Sequence, residues 1–286
     1  MSRPSHLAGV LASIVSSIGF ASMDAIAKLL LQSVPVGWVL VLRGAAIIVI
    51  ISLTLLVMRR LDWFGSSAPR VLALRSIVFG ITSVLVVVSL AHLTLAEAIS
   101  LYFLSPIATV FLARWLLGEP LTRRALVAVV LGFIGVLAII QPRSQGVSWF
   151  YALPLIAAVT GALQDVLVRR MRASAHPSTI VLYGSVATII ATALVLPLGA
   201  PPPLDSRELG LFTAGAIAGA VGVFFVAGSF QQAPTRIISP LRYLNVVWAV
   251  VLGFAVFGTV PNALAASGIV LVMIAGIVCV WTPRNA

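Results

Sequence analysis

The sequence predicts an all-α integral membrane protein: ten transmembrane helices arranged as two inverted five-helix repeats, with both termini cytoplasmic. Three observations predict it. Of 286 residues, 61% are hydrophobic and 9% charged, against about 25% charged in an ordinary soluble domain. Apolar runs long enough to cross about 30 Å of hydrocarbon recur from one end to the other. The stretch "DAIAK" at 24–28 returns as "DVLVR" at 165–169, displaced by 141 residues.

The first span, 7–31, has a basic start, an apolar middle and small residues near Ala21, which locally is the look of a cleavable signal. Its match to the sixth span argues for a retained helix, since cleavage would leave one half incomplete. The second span, 36–58, starts after Pro35 and stops at Arg59 and Arg60. The third, 71–92, carries Ser76, Phe79 and Ser83, a partly polar face. The fourth, 96–118, places Tyr102, Ser105 and Thr109 on one face at i, i+3, i+7. "GEPLT" closes it, with Thr122 as N-cap of the fifth span, 122–140, and Glu119 serving the tight connection. Small residues in that fifth span and the tenth, including Ala128, Gly132, Gly135, Ala265, Gly268 and Gly276, read as close helix packing.

The sixth span, 149–172, holds Gln164 and Asp165, and the seventh, 177–197, starts at Pro177 as the second starts after Pro35. The eighth, 207–232, contains Phe224 and Phe225. The ninth, 234–258, bears Arg242, Asn245 and Ala249 at places equivalent to the polar stripe of the fourth. The tenth is 261–281. Ser89 and Ser229, and Gly118 and Gly258, match across an offset of 140, which divides the chain into repeats 1–143 and 144–286. Five is odd, so the second repeat enters the membrane from the opposite side.

Alternate connections carry the cations. Arg3, Arg59, Arg60, Arg70, Arg75, Arg114, Arg123, Arg124, Arg169, Arg170, Arg172, Arg236 and Arg284 fall on one side; Lys28, Arg43, Arg143 and Arg207 lie towards the other. By the positive-inside rule the first side is cytoplasmic. Topology thus accounts for a net charge of +11 without nucleic acid as a partner. One cysteine, Cys279, and three separated histidines, His6, His92 and His176, leave no disulfide, metal or cofactor site in view. Trp38, Trp63, Trp115, Trp149 and Trp281 sit near span ends as interfacial anchors.

The spans "SLAHLTLAEAISLYFLSPIATVFLARWLLGEPLTRRALVAVVLGFIGVLAI" and the weaker copy beginning "SFQQAPTRIISPLRYLNVVW" resemble the drug/metabolite transporter superfamily, and within it the ten-helix EamA-type exporters, nearest to the bacterial amino-acid exporters of the YddG kind. The second copy has Thr259 where Glu119 stands and Val246 where Pro106 stands. The resemblance implies secondary export of amino acids, aromatic and other neutral ones included, across the inner membrane by alternating access through a central cavity. The partners it implies are the lipid bilayer and a small-molecule substrate, with no obligatory protein partner. Export of cationic drugs or other small metabolites is the alternative, ahead of a membrane-embedded transferase or a scaffold. The chain has one lysine and no "GxxxxGK[ST]" motif, so no nucleotide-driven step is expected.

The candidate cavity comprises Phe79, Ser83, Tyr102, Ser105, Gln164, Arg242, Tyr243, Asn245 and Trp248. A guanidinium two turns into a span costs at least about 2.5 kcal/mol unless paired or wetted, which makes Arg242 a candidate partner for a substrate carboxylate. Asp24, Lys28, Arg43, Asp165 and Arg169 are the candidates for gating or ion coupling. Asp24 lies about 8 Å past the midplane and Lys28 about 14 Å, within snorkelling distance of the surface. Asp165 lies similarly far from its own centre on the opposite side. Each acid is therefore expected to act at its own end of the pathway, Asp24 with Arg43, and both are candidates for proton coupling.

Overall fold

A computed structural model describes residues 6–59, 65–92, 101–140, 149–257 and 262–280. Its regular structure is helical: α1 Leu7–Leu30, α2 Val36–Val57, α3 Pro69–His92, α4 Ser105–Leu117, α5 Arg123–Ile140, α6 Ala152–Arg170, α7 Pro177–Val195, α8 Ser206–Gln232, α9 Thr235–Leu241, α10 Leu244–Phe257 and α11 Ala263–Val280. A 3-10 turn, Trp149–Tyr151, leads into α6. Six helical spans are long and apolar enough to cross a membrane: Leu7–Leu30, Val36–Val57, Pro69–Ser89, Trp149–Arg170, Pro177–Val195 and Ser206–Gln232. The surface is apolar, with Leu53, Trp115 and Leu194 exposed, while Ser13, Ser17, Thr188 and Thr192 are buried. That inversion of the usual soluble pattern is what a lipid solvent selects, and the chain is a multi-pass membrane protein.

Helix boundaries follow local chemistry. Pro177 opens α7, and the His176 Nδ1 accepts the Ser178 N–H at 3.3 Å. Asp205 and Glu208 form a reciprocal capping box at the start of α8, with bonds of 2.7 and 3.1 Å. Gly118 ends α4 at φ 68°, a left-handed conformation that glycine adopts without cost. Thr122 Oγ1 accepts the Ala125 N–H at 3.2 Å, as an N-cap for α5.

Two expected spans are broken. The fourth is helical at 101–102, turns at Phe103 and Leu104, and resumes as α4; residues 96–100 lie outside the described residues. Pro106, at the second position of α4, has no N–H for the Tyr102 carbonyl, and its ring crowds that carbonyl. The ninth is split at Arg242 and Tyr243 into α9 and α10. There the backbone tightens to i→i+3 bonds, from Arg242 N to Ser239 O and Tyr243 N to Pro240 O, both 3.2 Å. The breaks stand at repeat-related positions.

Alternate connections share an end. Ser67 N donates to Ser174 O at 2.9 Å, and Gln231 Nε2 to Ala175 O at 2.9 Å, which joins the arginine-rich connections. At the other end Ser33 Oγ donates to Glu208 at 2.6 Å, Trp38 Nε1 donates to Leu198 O at 2.6 Å, and His92 stacks on Phe150 at 3.9 Å. Trp38 is therefore held by a loop carbonyl, while Trp115 and Trp149 are exposed; Trp63 and Trp281 lie outside the described residues. Packing also repeats when the halves are exchanged: α1 lies on α8 and α10, and correspondingly α6 lies on α3 and α4, while α2 meets α7 and α5 meets α11.

Glycines permit these approaches. A Cβ on Gly19 would stand 2.7 Å from Gly222 N, one on Gly80 2.6 Å from Ala187 O, and one on Gly135 2.8 Å from Gly268 O. The expected close packing of the fifth and tenth spans is present at Gly135 and Gly268; the surroundings of Ala265 and Gly276 lie outside the description.

Because each of those clashes is with backbone, Gly19→Val or Gly80→Val is expected to destabilise by about 1–3 kcal/mol. Gly210→Ala, with nothing within 4 Å of its added Cβ, is the control and should leave stability unchanged. The midpoint of thermal unfolding in detergent checks both.

Candidate functional site

The turn between α9 and α10 delivers Arg242 to α6, where its Nη1 is bonded and ion-paired to Asp165 Oδ2. The side chains are 17% and 6% exposed, so the pair is withdrawn from solvent. Arg75, on α3, is a second cation in electrostatic reach of Asp165. It is 2% exposed. Its Nη1 donates to the Ile180 carbonyl at 3.0 Å, and its guanidinium stacks 4.6 Å from the Phe79 ring centroid. This corrects the expectation that Arg75 belongs to the cytoplasmic connections: aromatic stacking, a helix carbonyl and a carboxylate together hold it inside the bundle.

Tyr102 has its hydroxyl in hydrogen-bonding reach of Arg242. Gly161 makes room for it: an added Cβ would stand 3.2 Å from Tyr102 Oη and 3.4 Å from Ser105 Oγ. Ser105 Oγ and Gln164 Oε1 are buried and have no hydrogen-bond partner among the described residues. Tyr102, Ser105, Asp165 and Arg242, drawn from widely separated stretches of sequence, therefore meet at one place between the halves, and Gln164 is buried on α6 beside Asp165.

Asp24 lies on the other side of that cluster. It is within electrostatic reach of Arg43 and hydrogen-bonding reach of Asn245, and within electrostatic reach of Tyr102. Asn245 is one turn beyond Arg242, so the broken helix addresses both acids. One face of α1 runs through Ser13, Ser17, Phe20, Asp24 and Lys28 at helical spacing. Along it Ser13 and Ser17 are 1% and 3% exposed, Phe20 is half-buried, and Asp24 and Lys28 are exposed. On α6 the equivalent face stays covered through Ala158 and Asp165, 1% and 4% exposed, to Arg169.

Arg169 lies at the arginine-rich end. Its Nε meets Glu119 Oε1 at 3.0 Å, and its Nη1 donates to the Phe230 and Gln231 carbonyls at 3.3 and 3.1 Å. Glu119 Oε2 accepts the Thr235 N–H at 2.9 Å. A guanidinium thus stands at the C-terminus of α8 and a carboxylate at the N-terminus of α9, each of the sign that the helix dipole favours. Glu119 was expected to serve its own connection; instead it binds two segments of the other half, while Thr122 alone caps α5.

Other candidates lie apart from the cluster. Tyr243 is fully buried, its ring against Gly132 and its hydroxyl donating to Phe103 O at 3.2 Å, in an apolar cluster with Val136 and Val272. Ser83 Oγ donates to Phe79 O at 2.9 Å and accepts from Thr188 at 3.5 Å, across the α3–α7 contact. Thr109 Oγ1 donates to Ser105 O at 2.8 Å within its own helix. Trp248 is half-buried on α10. Glu97 lies outside the described residues. Arg75 and Glu119 are the functional-site residues that the sequence reading placed elsewhere.

The profile of the EamA-like transporter family matches residues 7–141 and again residues 148–282. The pseudopaline exporter CntI of Pseudomonas aeruginosa is 28% identical over 283 residues, 97% of each chain. An S-adenosylmethionine uptake transporter of Rickettsia conorii is 25% identical, over 77% of this chain and 75% of that one. A riboflavin transporter of Rhizobium johnstonii is 28% identical, over 67% of this chain and 63% of that one. A solved crystal structure superposes with a TM-score of 0.73 at 19% identity, covering 92% of this chain and 95% of the other, which is a likeness of fold.

The Glu119–Arg169 contact joins the two halves directly, so its members are coupled. Glu119→Ala and Arg169→Ala should each cost about 1.5–3 kcal/mol, the range for hydrogen bonds to charged groups. The double variant should cost little more than the worse single one. Unfolding midpoints of the four proteins in detergent form the cycle; strictly additive losses would show that the side chains act independently.

Proposed function

The chain belongs to the EamA-like transporter family, and on that premise we propose that it exports amino acids, aromatic and other neutral ones included, across the bacterial inner membrane. Two inverted repeats, 1–143 and 144–286, alternate access to a central chamber bounded by Tyr102, Ser105, Gln164, Arg242 and Asn245. The observation that carries this reading is the difference between the ends of the pathway. The Asp24 face of α1 is exposed towards one end. The arginine-rich end is shut by Glu119 and Arg169, with the Asp165–Arg242 pair behind them.

With arginine-rich connections on the cytoplasmic side, the described conformation is outward-open. The repeat-related breaks at 103–104 and 242–243 place non-helical backbone and polar side chains at the interface of the halves, where transporters of repeated architecture bind substrate. The Phe79 ring supplies apolar wall for a side chain. Substrate moving inward to outward passes Asp165–Arg242 first and Asp24 second, so each acid serves its own end. The single lysine, Lys28, is in α1 near the outer end, far from any phosphate-gripping loop, and the driving force is a substrate gradient or a coupled ion. One full-length relative is an exporter, which supports the direction.

Purified protein in proteoliposomes, loaded with unlabelled amino acids and presented with a radiolabelled panel, is expected to exchange at least one neutral or aromatic amino acid saturably. Glu119→Ala should at the same time raise reaction of a Ser13→Cys reporter, in a Cys279→Ser background, with an impermeant maleimide applied from the arginine-rich side. Protein-free rates for the whole panel would end the amino-acid reading. An unchanged reporter would end the assignment of Glu119 to closure.

A further inference from the structure

The cations around the central chamber are engaged. Arg242 is held by Asp165 and reached by Tyr102. Arg75 is held by the Ile180 carbonyl and the Phe79 ring, facing the same aspartate. Arg75 Nε is left without a partner among the described residues, and three groups of the opposite character are unengaged as well. Asn245 Oδ1, Gln164 Oε1 and Ser105 Oγ are buried without partners among the described residues, and Gln164 is only 6% exposed. Buried polar atoms in folded proteins are almost always paired, so an unpaired set between transporter halves marks a place for an occupant. Two of the three are pure acceptors, and the third, a hydroxyl, can also accept.

The exposed carboxylate of Asp24 is next to this set, with Asn245 in hydrogen-bonding reach. An amide that donates through Nδ2 to Asp24 leaves its Oδ1 free, in agreement with the unpartnered oxygen. Carboxylate and amide oxygen then form a negatively charged seat of two acceptors, with the Tyr102 hydroxyl in electrostatic reach of the same carboxylate. A primary ammonium group has three donors and one positive charge. It satisfies both acceptors and still has a donor for a third. A carboxylate at this seat would meet like charge, and an acylated nitrogen would bring one donor and no charge.

We propose that Asp24 and Asn245 form a subsite that recognises a primary ammonium group on the transported molecule. This rests on the exporter reading for the route of transport, and the binding chemistry itself has a separate readout. It also reverses the part expected of Arg242 in the described conformation: Asp165 occupies that guanidinium, and the ligand's positive end is the one that the chamber reads.

The test uses the full-length protein in detergent, with thermal stabilisation by the common amino acids and by simple primary amines such as phenethylamine, each beside its N-acetyl counterpart. At least one ammonium-bearing compound is expected to stabilise the wild type and to lose at least about tenfold in apparent affinity on acetylation, the scale for removing one partner of a desolvated charge contact. Asp24→Asn and Asn245→Ala should each lower that affinity at least about tenfold, while Asn245→Asp, which keeps an acceptor, retains it. If Asp24→Asn fails to fold, the two Asn245 variants decide. The proposal is overturned if acetylated compounds stabilise as well as their parents, if Asn245→Ala binds as the wild type does, or if no ammonium-bearing compound stabilises the wild type. Flux separates it from the exporter reading: discrimination in binding without flux removes the exporter and keeps the subsite, whereas equal export of acetylated and free compounds does the reverse.

Discussion

A charge held away from water must be answered by another charge, and the Asp165–Arg242 pair is where the bundle meets that requirement. The two side chains come from different helices of the second repeat, and the helix that carries Arg242 is interrupted at that residue. The interruption gives the guanidinium its approach to α6, and Gly161 lets Tyr102 and Ser105 of the first repeat close over it. Arg75 adds a second positive charge from α3. Removal of one partner of such a pair leaves an uncompensated charge, at a cost of about 3–5 kcal/mol. One carboxylate on α6 thus answers the cations that α3 and the α9–α10 turn bring to it.

The arginine-rich end is joined by different means. Glu119 and Arg169 meet where helices start and stop, and backbone groups there lack partners within their helices. Arg169 takes two carbonyls at the end of α8, and Glu119 takes the N–H of Thr235 at the start of α9. Closure therefore uses donors and acceptors that the fold leaves over in any case. If the halves separate there, the released groups face water at the membrane surface and not hydrocarbon, so opening costs much less than exposing the same groups at mid-depth. A contact of this kind can form and break within a transport cycle; the deeper Asp165–Arg242 pair opens only if something else, substrate or water, answers its charges.

Six spans were legible because hydrocarbon thickness acts on every helix alike, and there the apolar run ends close to a helix end, as at Leu7–Leu30 and Ser206–Gln232. The two acids were legible because "DAIAK" and "DVLVR" repeat. The approach of Tyr102 to Arg242 accords with the repeat-related polar stripes, Tyr102 with Ser105 and Arg242 with Asn245. The break at 242–243 was missed because Val246 stands where Pro106 does; the signal is Pro240, inside α9 two residues before the break, which has no N–H for the helix ladder. Arg75 was assigned to a connection because a charge near the start of an apolar run looks like a topology signal, and its stacking on Phe79 four residues later is visible only in three dimensions. Glu119 was read as local because its partners are 50 and 116 residues away.

The two repeats share a fold without sharing their arginines, and this difference determines how the ends can behave. Arg43 is on α2, and the repeat-related residue on α7, 141 positions on, is Gly184; a Cβ there would stand 2.6 Å from Arg75 Nη1. Arg75 is on α3, and its counterpart on α8, 140 positions on, is Gly215, which lines a small pocket together with Arg43. Each acid therefore has an arginine from a first-repeat helix in electrostatic reach, Asp24 from Arg43 and Asp165 from Arg75 in addition to its pair with Arg242 of the second repeat. Helices α2 and α3 carry cations for opposite ends of the pathway, so a movement of the first repeat against the second changes both electrostatic environments together. With identical repeats the two ends would be equivalent by symmetry. Glycines stand at the second-repeat counterparts of Arg43 and Arg75, and Asp165 is covered while Asp24 is exposed in the same molecule, so the two acids differ in surroundings although they are repeat-related.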